Sequence, residues 1–416
     1  MHNREIISKI LSLGYLFKPG PTKIKTRIKN MHRTKKILII RSGAIGDCIL
    51  TIPLIKELKK IYPDSKIDYL VGDWSKTVLK NEEEINEIIG YKDEIVVQKK
   101  IWGIIGLIRK IRKTKYDIGI ILDKSWEFGV LASLMKIPNR IGYDRAGEGF
   151  ANHINIKYDG NKYEGEYYFD IIRKLKQTTE NKEYEVGRYE LSLTIKPEEI
   201  EHAKQKFIEK NMSILEKYKD ELQYTNNNKQ ETKYRNIIGL AIGGAKNPAA
   251  EMANKKWPQQ NYTEIIKELS KHNKIILFGG KTDKEIHKQT IENIENQNII
   301  DMAGETNIHE TAVLMKECDL LITHDSGPMH IAGTTQKPLI AIFGPTPAER
   351  FAPKNAHIIK STIKECPTYT IYGEGKKIDC MAGVGIDAVK NKIQEILPNA
   401  YEEKTEKELI TGELFE

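Results

Sequence analysis

Asp47 closes the turn RSGAIGDCIL, residues 41–50, which follows the apolar run Ile37–Ile40. A glycine-rich turn between a strand and a helix is where nucleotide-binding folds hold phosphates on bare backbone N–H groups. A carboxylate there repels the anion. The plain role for Asp47 is to cap a helix predicted over 48–62, a contribution of about 1 kcal/mol. Any chemical role depends on where an anionic ligand binds elsewhere in the chain.

Three later loops suit such a ligand better. THDSGPMHIAGT (323–334) follows the apolar strand CDLLIT. There Asp325 or Ser326 can cap the next helix, Gly327 permits close backbone approach, and the free N–H groups of the helix start form an anion site. His330, one turn on, can face the same ligand. GGAKNPAAEMANKKWP (243–258) opens on Gly243-Gly244-Ala245 and brings Lys255 and Lys256 toward a helix that Pro258 starts. Lysine is a point charge that neutralises a departing diphosphate. In FGGKTDKE (278–285), Thr282 or Asp283 can cap a helix or hydrogen-bond a ribose.

The elements around these loops alternate between strand and helix. The first half predicts strands at 36–41, 67–71, 95–98 and 117–122, with helices at 48–62, near 74–81 and at 102–114; Pro53 is placed to kink the first helix. After the polar, Asn-rich stretch 223–235 the alternation restarts. Strands are predicted at 236–242, 274–278, 298–301, 319–323 and 338–343, and helices at 259–271, 283–294, 308–317, 327–335 and 386–397. Such βαβ repetition implies parallel sheets covered on both faces. IIGLAIGGA at 237–245 echoes IIRSGAIG at 39–46, a weak internal repeat. The expected fold is α/β, with two Rossmann-like parallel-sheet domains facing a cleft. The expected divisions are a basic extension 1–33, a first domain 34–222, a linker 223–235, a second domain 236–398 and an acidic tail 399–416. In open parallel sheets ligands bind outside the carboxyl ends of the strands, where all four loops lie.

The combination of DSGPMHIA (325–332), PLIAIFGPT (338–346), KKWP (255–258) and RSGAIGDCILTIP (41–53), with CMAGVGIDAV (380–389), resembles the family 9 glycosyltransferases, the heptosyltransferases of lipopolysaccharide core synthesis. The resemblance spans roughly residues 36–396. It implies the GT-B architecture, an N-terminal acceptor domain and a C-terminal nucleotide-sugar domain, with ADP-heptose as donor and a glycolipid acceptor. Carried onto this sequence, the donor site takes Gly243, Gly244 and Ala245 at the first turn, Lys255 at the phosphates and Thr306 near the base. Asp325, Ser326, Gly327 and His330 surround sugar and diphosphate. Thr282 stands where some relatives have an acidic residue.

With phosphates assigned to the second domain, Asp47 gains a task. Inverting glycosyl transfer needs a base on the acceptor side to take the proton from the attacking hydroxyl, and an anion also stabilises an oxocarbenium-like transition state. The resemblance likewise makes the aspartate of this GD motif the base, in a loop that includes Ser42, Gly43 and Gly46. No two aspartates stand one residue apart and HExxH is absent, so neither a metal nor another cofactor is expected, and Lys255 with the helix start neutralises the leaving group. A sugar-nucleotide epimerase of the same fold would want acid and base carboxylates around the sugar, and Glu148, Glu251 and Glu285 form no such constellation. A non-catalytic nucleotide-sugar-binding protein is the other alternative.

Charge and composition set the remaining limits. Hydrophobic residues make up 39% and charged residues 30% of the 416, as in a folded, well-solvated chain. Residues 1–36 hold ten Lys or Arg against Glu5 alone, so the formal +8 belongs to this extension and the body is near neutral. That argues against a nucleic-acid partner. The arm's apolar residues, and the segment IWGIIGLIRKIRKTK (101–115), fit peripheral contact with an anionic membrane. No apolar run is long enough to span a bilayer and no signal peptide is seen, so a cytoplasmic location, at the inner face of the membrane, is expected. Cys48, Cys318, Cys366 and Cys380 form no CxxC pair and are read as free thiols, a Cys366–Cys380 disulfide being the alternative.

Overall fold

A computed structural model describes residues 35–98, 100–180, 185–217, 234–244, 246–247, 250–294, 296–364, 366 and 379–402. The extension 1–33, most of the stretch 223–235, Ala245 and most of the tail 399–416 therefore lie outside the described residues. The chain divides into two compact units between Glu190 and Leu191, ahead of the predicted 223–235 boundary.

The first unit is built on β1 (Lys36–Ile40), whose residues Ile37, Leu38 and Ile39 are fully buried because helices cover both faces of a parallel sheet. With β2 (Lys66–Gly72), β3 (Ile85–Tyr91), β4 (Ile118–Ile121), β5 (Asn139–Asp144) and β6 (Ile154–Lys157) it forms a sheet of order β3-β2-β1-β4-β5-β6. Ile40 lies opposite both Leu70 and Ile121, so the winding reverses between β1 and β4. Loops leaving those two strands diverge there and open a crevice.

Several local expectations change. The predicted helix 48–62 is two helices, α1 (Ile45–Ile49) and α2 (Ile52–Ile61). Pro53 sits in the first turn of α2, where its missing N–H leaves no hydrogen bond unmade, so it starts a helix instead of kinking one. The segment expected as a strand at 95–98 is α3 (Asp93–Val97), and the strand is β3, an edge strand whose exposed Asn86 and Glu87 hide its pattern. The stretch near 74–81 forms only a 3-10 turn, Lys76–Leu79. The helix α4 (Ile101–Thr114) agrees with expectation. The sequence reading did not place α5 (Trp126–Leu134), β5, β6 or α6 (Glu164–Glu180).

The second unit includes α7 (Pro197–Lys217), which packs on α10 (Ile308–Lys316) through Lys206 Nζ, 2.7 Å from Glu310 Oε2. Its central strand β7 (Ile237–Ala241) is followed by a two-stranded antiparallel pair, β8 (Lys246–Asn247) and β9 (Ala250–Glu251). The sheet adds β10 (Lys274–Leu277), β11 (Ile299–Asp301), β12 (Leu320–His324), β13 (Leu339–Phe343) and β14 (Ala356–Lys360), in the order β11-β10-β7-β12-β13-β14. Helices α8 (Gln259–Leu269), α9 (Lys284–Ile291), α11 (Gly327–Gly333) and α13 (Ile386–Ile396) fall close to their predicted spans; α12 (Ala348–Phe351) and β14 were not expected. Among the described residues, no helix is long and apolar enough to cross a membrane.

The cysteines correct the reading of four free thiols. Cys366 and Cys380 are joined in a disulfide, with Cα atoms 5.5 Å apart. Thr362 donates from both its backbone N–H and its hydroxyl to the Gly383 carbonyl, which draws the two ends of the segment together. Cys48 and Cys318 are buried free thiols.

Candidate active site

In the first unit the site grows from the ends of β1 and β4. Arg41 follows β1 and turns inward, its side chain 8% exposed. One guanidinium nitrogen lies 2.6 Å from Asp47 Oδ1; the other reaches the Leu122 carbonyl and Asp123 Oδ1, each at 3.3 Å. Asp123, two residues past the end of β4, also accepts from the Ser42 N–H at 2.8 Å and its hydroxyl at 2.7 Å. Asp47 in turn accepts from the Ala44 N–H at 3.0 Å, so it does cap α1 from the inside of the first turn. Gly43 is required by this arrangement: a Cβ there would fall on the Asp47 carboxylate. Gly46 is buried in the same turn of α1.

Capping does not use up the carboxylate, which remains 31% exposed. Burial opposes its ionisation, but Arg41 and then Lys124 outweigh it and hold the pKa at about 2. Lys124 is itself fixed, 2.5 Å from the fully buried Glu164. Asp123 goes the other way: burial raises its pKa against Arg41 and Ser42. Cys48, next in sequence, is no nucleophile, because burial pushes its thiol up to about 12.

The second unit repeats the plan at the ends of β7 and β12. Gly244 adopts φ +88°, a conformation that favours glycine, and a Cβ on it would stand 3.3 Å from Ser326 Cβ. Asp283 accepts from the Gly244 N–H at 3.0 Å and from the Gly280 N–H at 2.8 Å, pinning two glycine turns together. It occupies the room left by the missing side chain of Gly243. Lys255 Nζ lies 2.8 Å from Asp325 Oδ2, in a pair whose side chains are 15% and 8% exposed. Burial opposes the Asp325 charge, but Lys255, then the Thr346 hydroxyl and then His330 lower its pKa. Ser326 stands at the N-cap position of α11, yet its hydroxyl donates back to the His324 carbonyl at 3.1 Å and caps nothing. Gly327 opens α11, and His330 is buried one turn on.

Gly243, Gly244, Lys255, Asp325, Ser326, Gly327 and His330 are thus brought to one end of one sheet. Thr282 is exposed on the 3-10 turn Lys281–Asp283, and of the two candidates there Asp283 is the one with a structural task. Thr306 shares a hydrogen bond with Thr311 at 2.8 Å, and its loop joins the turn at 279 through Gly304 N–H to the Gly279 carbonyl. Ala245 lies outside the described residues. Sequence reasoning missed Arg41, Asp123 and His324. Each is a polar residue at or just past the end of an apolar strand, and that position was the available signal.

Comparison with known proteins fits this geometry. The chain is 26% identical over 346 residues to lipooligosaccharide heptosyltransferase 2 of Haemophilus ducreyi, covering 78% of this chain and 88% of that protein. In fold it matches the family 9 glycosyl transferase of Veillonella parvula, with TM-score 0.65 and 22% identity over 88% of this chain and 97% of that one. It also matches the ADP-heptose lps heptosyltransferase II of E. coli, with TM-score 0.63 and 22% identity over 88% and 99%. Both likenesses agree with a GT-B fold. The family model described as glycosyltransferase family 9 (heptosyltransferase) matches residues 104–371, well over half of the sequence, and the chain belongs to that glycosyltransferase family.

Proposed function

We propose that this glycosyltransferase moves a heptose, with inversion and without a metal, from a nucleotide sugar such as ADP-heptose to a lipopolysaccharide-core or other glycolipid acceptor at the inner face of the membrane. The observation that carries the mechanism is Asp47, a partly exposed carboxylate kept ionised by Arg41 at the switch point of the first sheet. In the reaction the acceptor hydroxyl oxygen bonds to the anomeric carbon, the bond from that carbon to the diphosphate oxygen breaks, and the hydroxyl proton passes to Asp47. A carboxylate of pKa about 2 is a weak base toward a ground-state hydroxyl. It suffices once carbon–oxygen bond formation has made that hydroxyl strongly acidic, and its fixed charge favours a cationic sugar throughout.

The diphosphate is assigned to the second unit. Lys255, held by Asp325, fixes a positive charge at this end of the sheet for phosphate oxygens, and the backbone at Gly243, Gly244 and Gly327 permits close approach. The relatives named for lipooligosaccharide and ADP-heptose transfer support heptose and a glycolipid as substrates. The epimerase alternative finds less support: Glu148 pairs with Arg145 and Glu285 with Gln289.

Asp47→Asn tests the assignment. Turnover should fall about 10²- to 10⁴-fold with donor affinity kept, whereas loss of a cap alone costs about 1 kcal/mol of stability. Activity within a few-fold of wild type would remove Asp47 as base. Turnover in EDTA should persist, and restoration of lost activity by Mg²⁺ would overturn the metal-free mechanism.

A further inference from the structure

Helix α4 buries Leu107 and Ile111 in the core of the first unit and turns a different face to water. Trp102, Gly106, Arg109 and Lys113, at spacings of four, three and four residues, are all exposed and share that face. Trp102 is 82% exposed and Ile101 beside it 69%. Neither Arg109 nor Lys113 has a partner among the described residues, so the face carries an apolar first turn and basic last two turns, with Arg109 about 10 Å and Lys113 about 16 Å along the axis from Trp102.

The apolar end is not randomly placed. A crossover helix in a parallel sheet runs against its strands, so Ile101 and Trp102 lie at the strand ends that carry Asp47. A chain of contacts joins them. Ser75 Oγ donates to the Gly43 carbonyl at 3.0 Å, and Trp74, 44% exposed, donates from its N–H to Asp93 at the start of α3 at 3.0 Å. Ile95 of α3 then packs on α4 so closely that a Cβ on Gly103 would come within 2.8 Å of it.

We infer that this face docks on an anionic phospholipid bilayer, with Ile101, Trp102 and Trp74 entering the headgroup boundary and Arg109 and Lys113 meeting the lipid charge. This rests on the reading above that the acceptor is a glycolipid, and it identifies the surface that meets the membrane holding it. An aromatic tip with an aligned basic row is what such an interface selects, since tryptophan is stable half in water and cations are attracted to anionic lipid. The same layout brings the first turn of α4, at the Asp47 end of the unit, to the membrane that displays lipid-linked hydroxyls.

The test is flotation of the full chain with vesicles of phosphatidylglycerol and phosphatidylcholine in equal parts, and with phosphatidylcholine alone. Binding to the anionic vesicles, weakened by salt, is expected. Trp102→Ser should weaken it about tenfold or more, as loss of one buried large side chain does. Arg109→Gln/Lys113→Gln should weaken it about 25-fold, from about fivefold per charge. Both sites are exposed, so folding is spared, and turnover on a lipid-free acceptor oligosaccharide should stay at the wild-type level while turnover on vesicle-embedded acceptor falls. Undiminished flotation of both variants would overturn the proposal and assign membrane binding to another segment. Self-association abolished by Trp102→Ser would overturn it too, by giving the face to a second copy. Absence of sugar transfer by the wild type, with flotation still dependent on Trp102, would sink the catalytic reading and leave the docking surface standing.

Discussion

Replacing Arg41 separates a working base from a helix cap. Its guanidinium lies 2.6 Å from Asp47 and, with Lys124, holds that carboxyl at about 2 against burial. An ordinary aspartate has pKa about 3.9, so the site favours the anion by about 2–3 kcal/mol, and by about half of that after allowance for water around a partly exposed group. In Arg41→Met burial is opposed only by Lys124 and the Ala44 N–H, and the carboxyl should rise to about 4 or above. Only the ionised form accepts a proton. The native enzyme should therefore show kcat/KM free of an acid limb from this group down to about pH 4, whereas Arg41→Met should acquire one. Loss of the bond that aims the carboxylate should also lower kcat near neutrality by up to about 10²-fold. Arg41→Lys keeps a cation and should keep the flat acid side while losing part of kcat. The assay is nucleotide release over a pH series at saturating and limiting acceptor. A flat profile and near-normal kcat in Arg41→Met would refute the reasoning; equal collapse of both variants at every pH would reduce Arg41 to a structural residue. Since the folded pKa of Asp47 lies below its unfolded value, the pair stabilises the native state above about pH 4, and this contribution is lost as pH falls toward 2.

Lys255→Met should raise the donor KM and lower kcat, and by stranding the buried Asp325 should destabilise the fold by about 3–5 kcal/mol; Lys255→Met/Asp325→Asn should regain stability but not donor affinity, and unchanged donor binding would remove Lys255 from the phosphates. His324 is fully buried and shares a hydrogen bond with Tyr262, and burial lowers its pKa to about 4, so the native state holds it neutral. Stability measured by urea titration should be full above about pH 6.5 and decline toward pH 4 by about 3 kcal/mol, a slope that His324→Gln should remove. The chain has four cysteines, so the disulfide predicts two titratable thiols in denaturant without reductant and four with it. Cys366→Ser/Cys380→Ser should cost about 3 kcal/mol, the return of closing a loop of this length.

The second sheet was legible because its strands are short continuous apolar runs bounded by glycine and proline, and LLITHDSG announces both a strand and the loop that follows. The first was read less well past residue 122. Helix α5, WEFGVLASL, is apolar on all sides and offers no helical period, and β6, INIK, is a short edge strand. Asp47 was visible because a carboxylate contradicts its phosphate-loop context. Asp123 was not, since its meaning comes from Ser42 and Arg41, which pairing of β1 with β4 brings beside it from more than 80 residues away. The boundary fell at Asn-rich polarity in the sequence, yet α7 belongs with the second unit because its partner is α10, a long-range contact that local composition does not carry. Cys366 and Cys380 likewise meet through Thr362 and Gly383 and not through any spacing rule.

Both sheets follow one strand order, and in both a glycine after the central strand leaves room that an aspartate fills: Asp47 from the same loop in one, Asp283 from a different loop in the other. The two sheets are more alike in architecture than in sequence. The vacancy comes with the scaffold, while the acid comes from whichever segment reaches it, so like sockets take their carboxylates from different stretches of chain. Selection can then exchange reactive groups among loops and leave both hydrophobic interiors untouched, which is how a repertoire of acceptors can diversify on an unchanging frame.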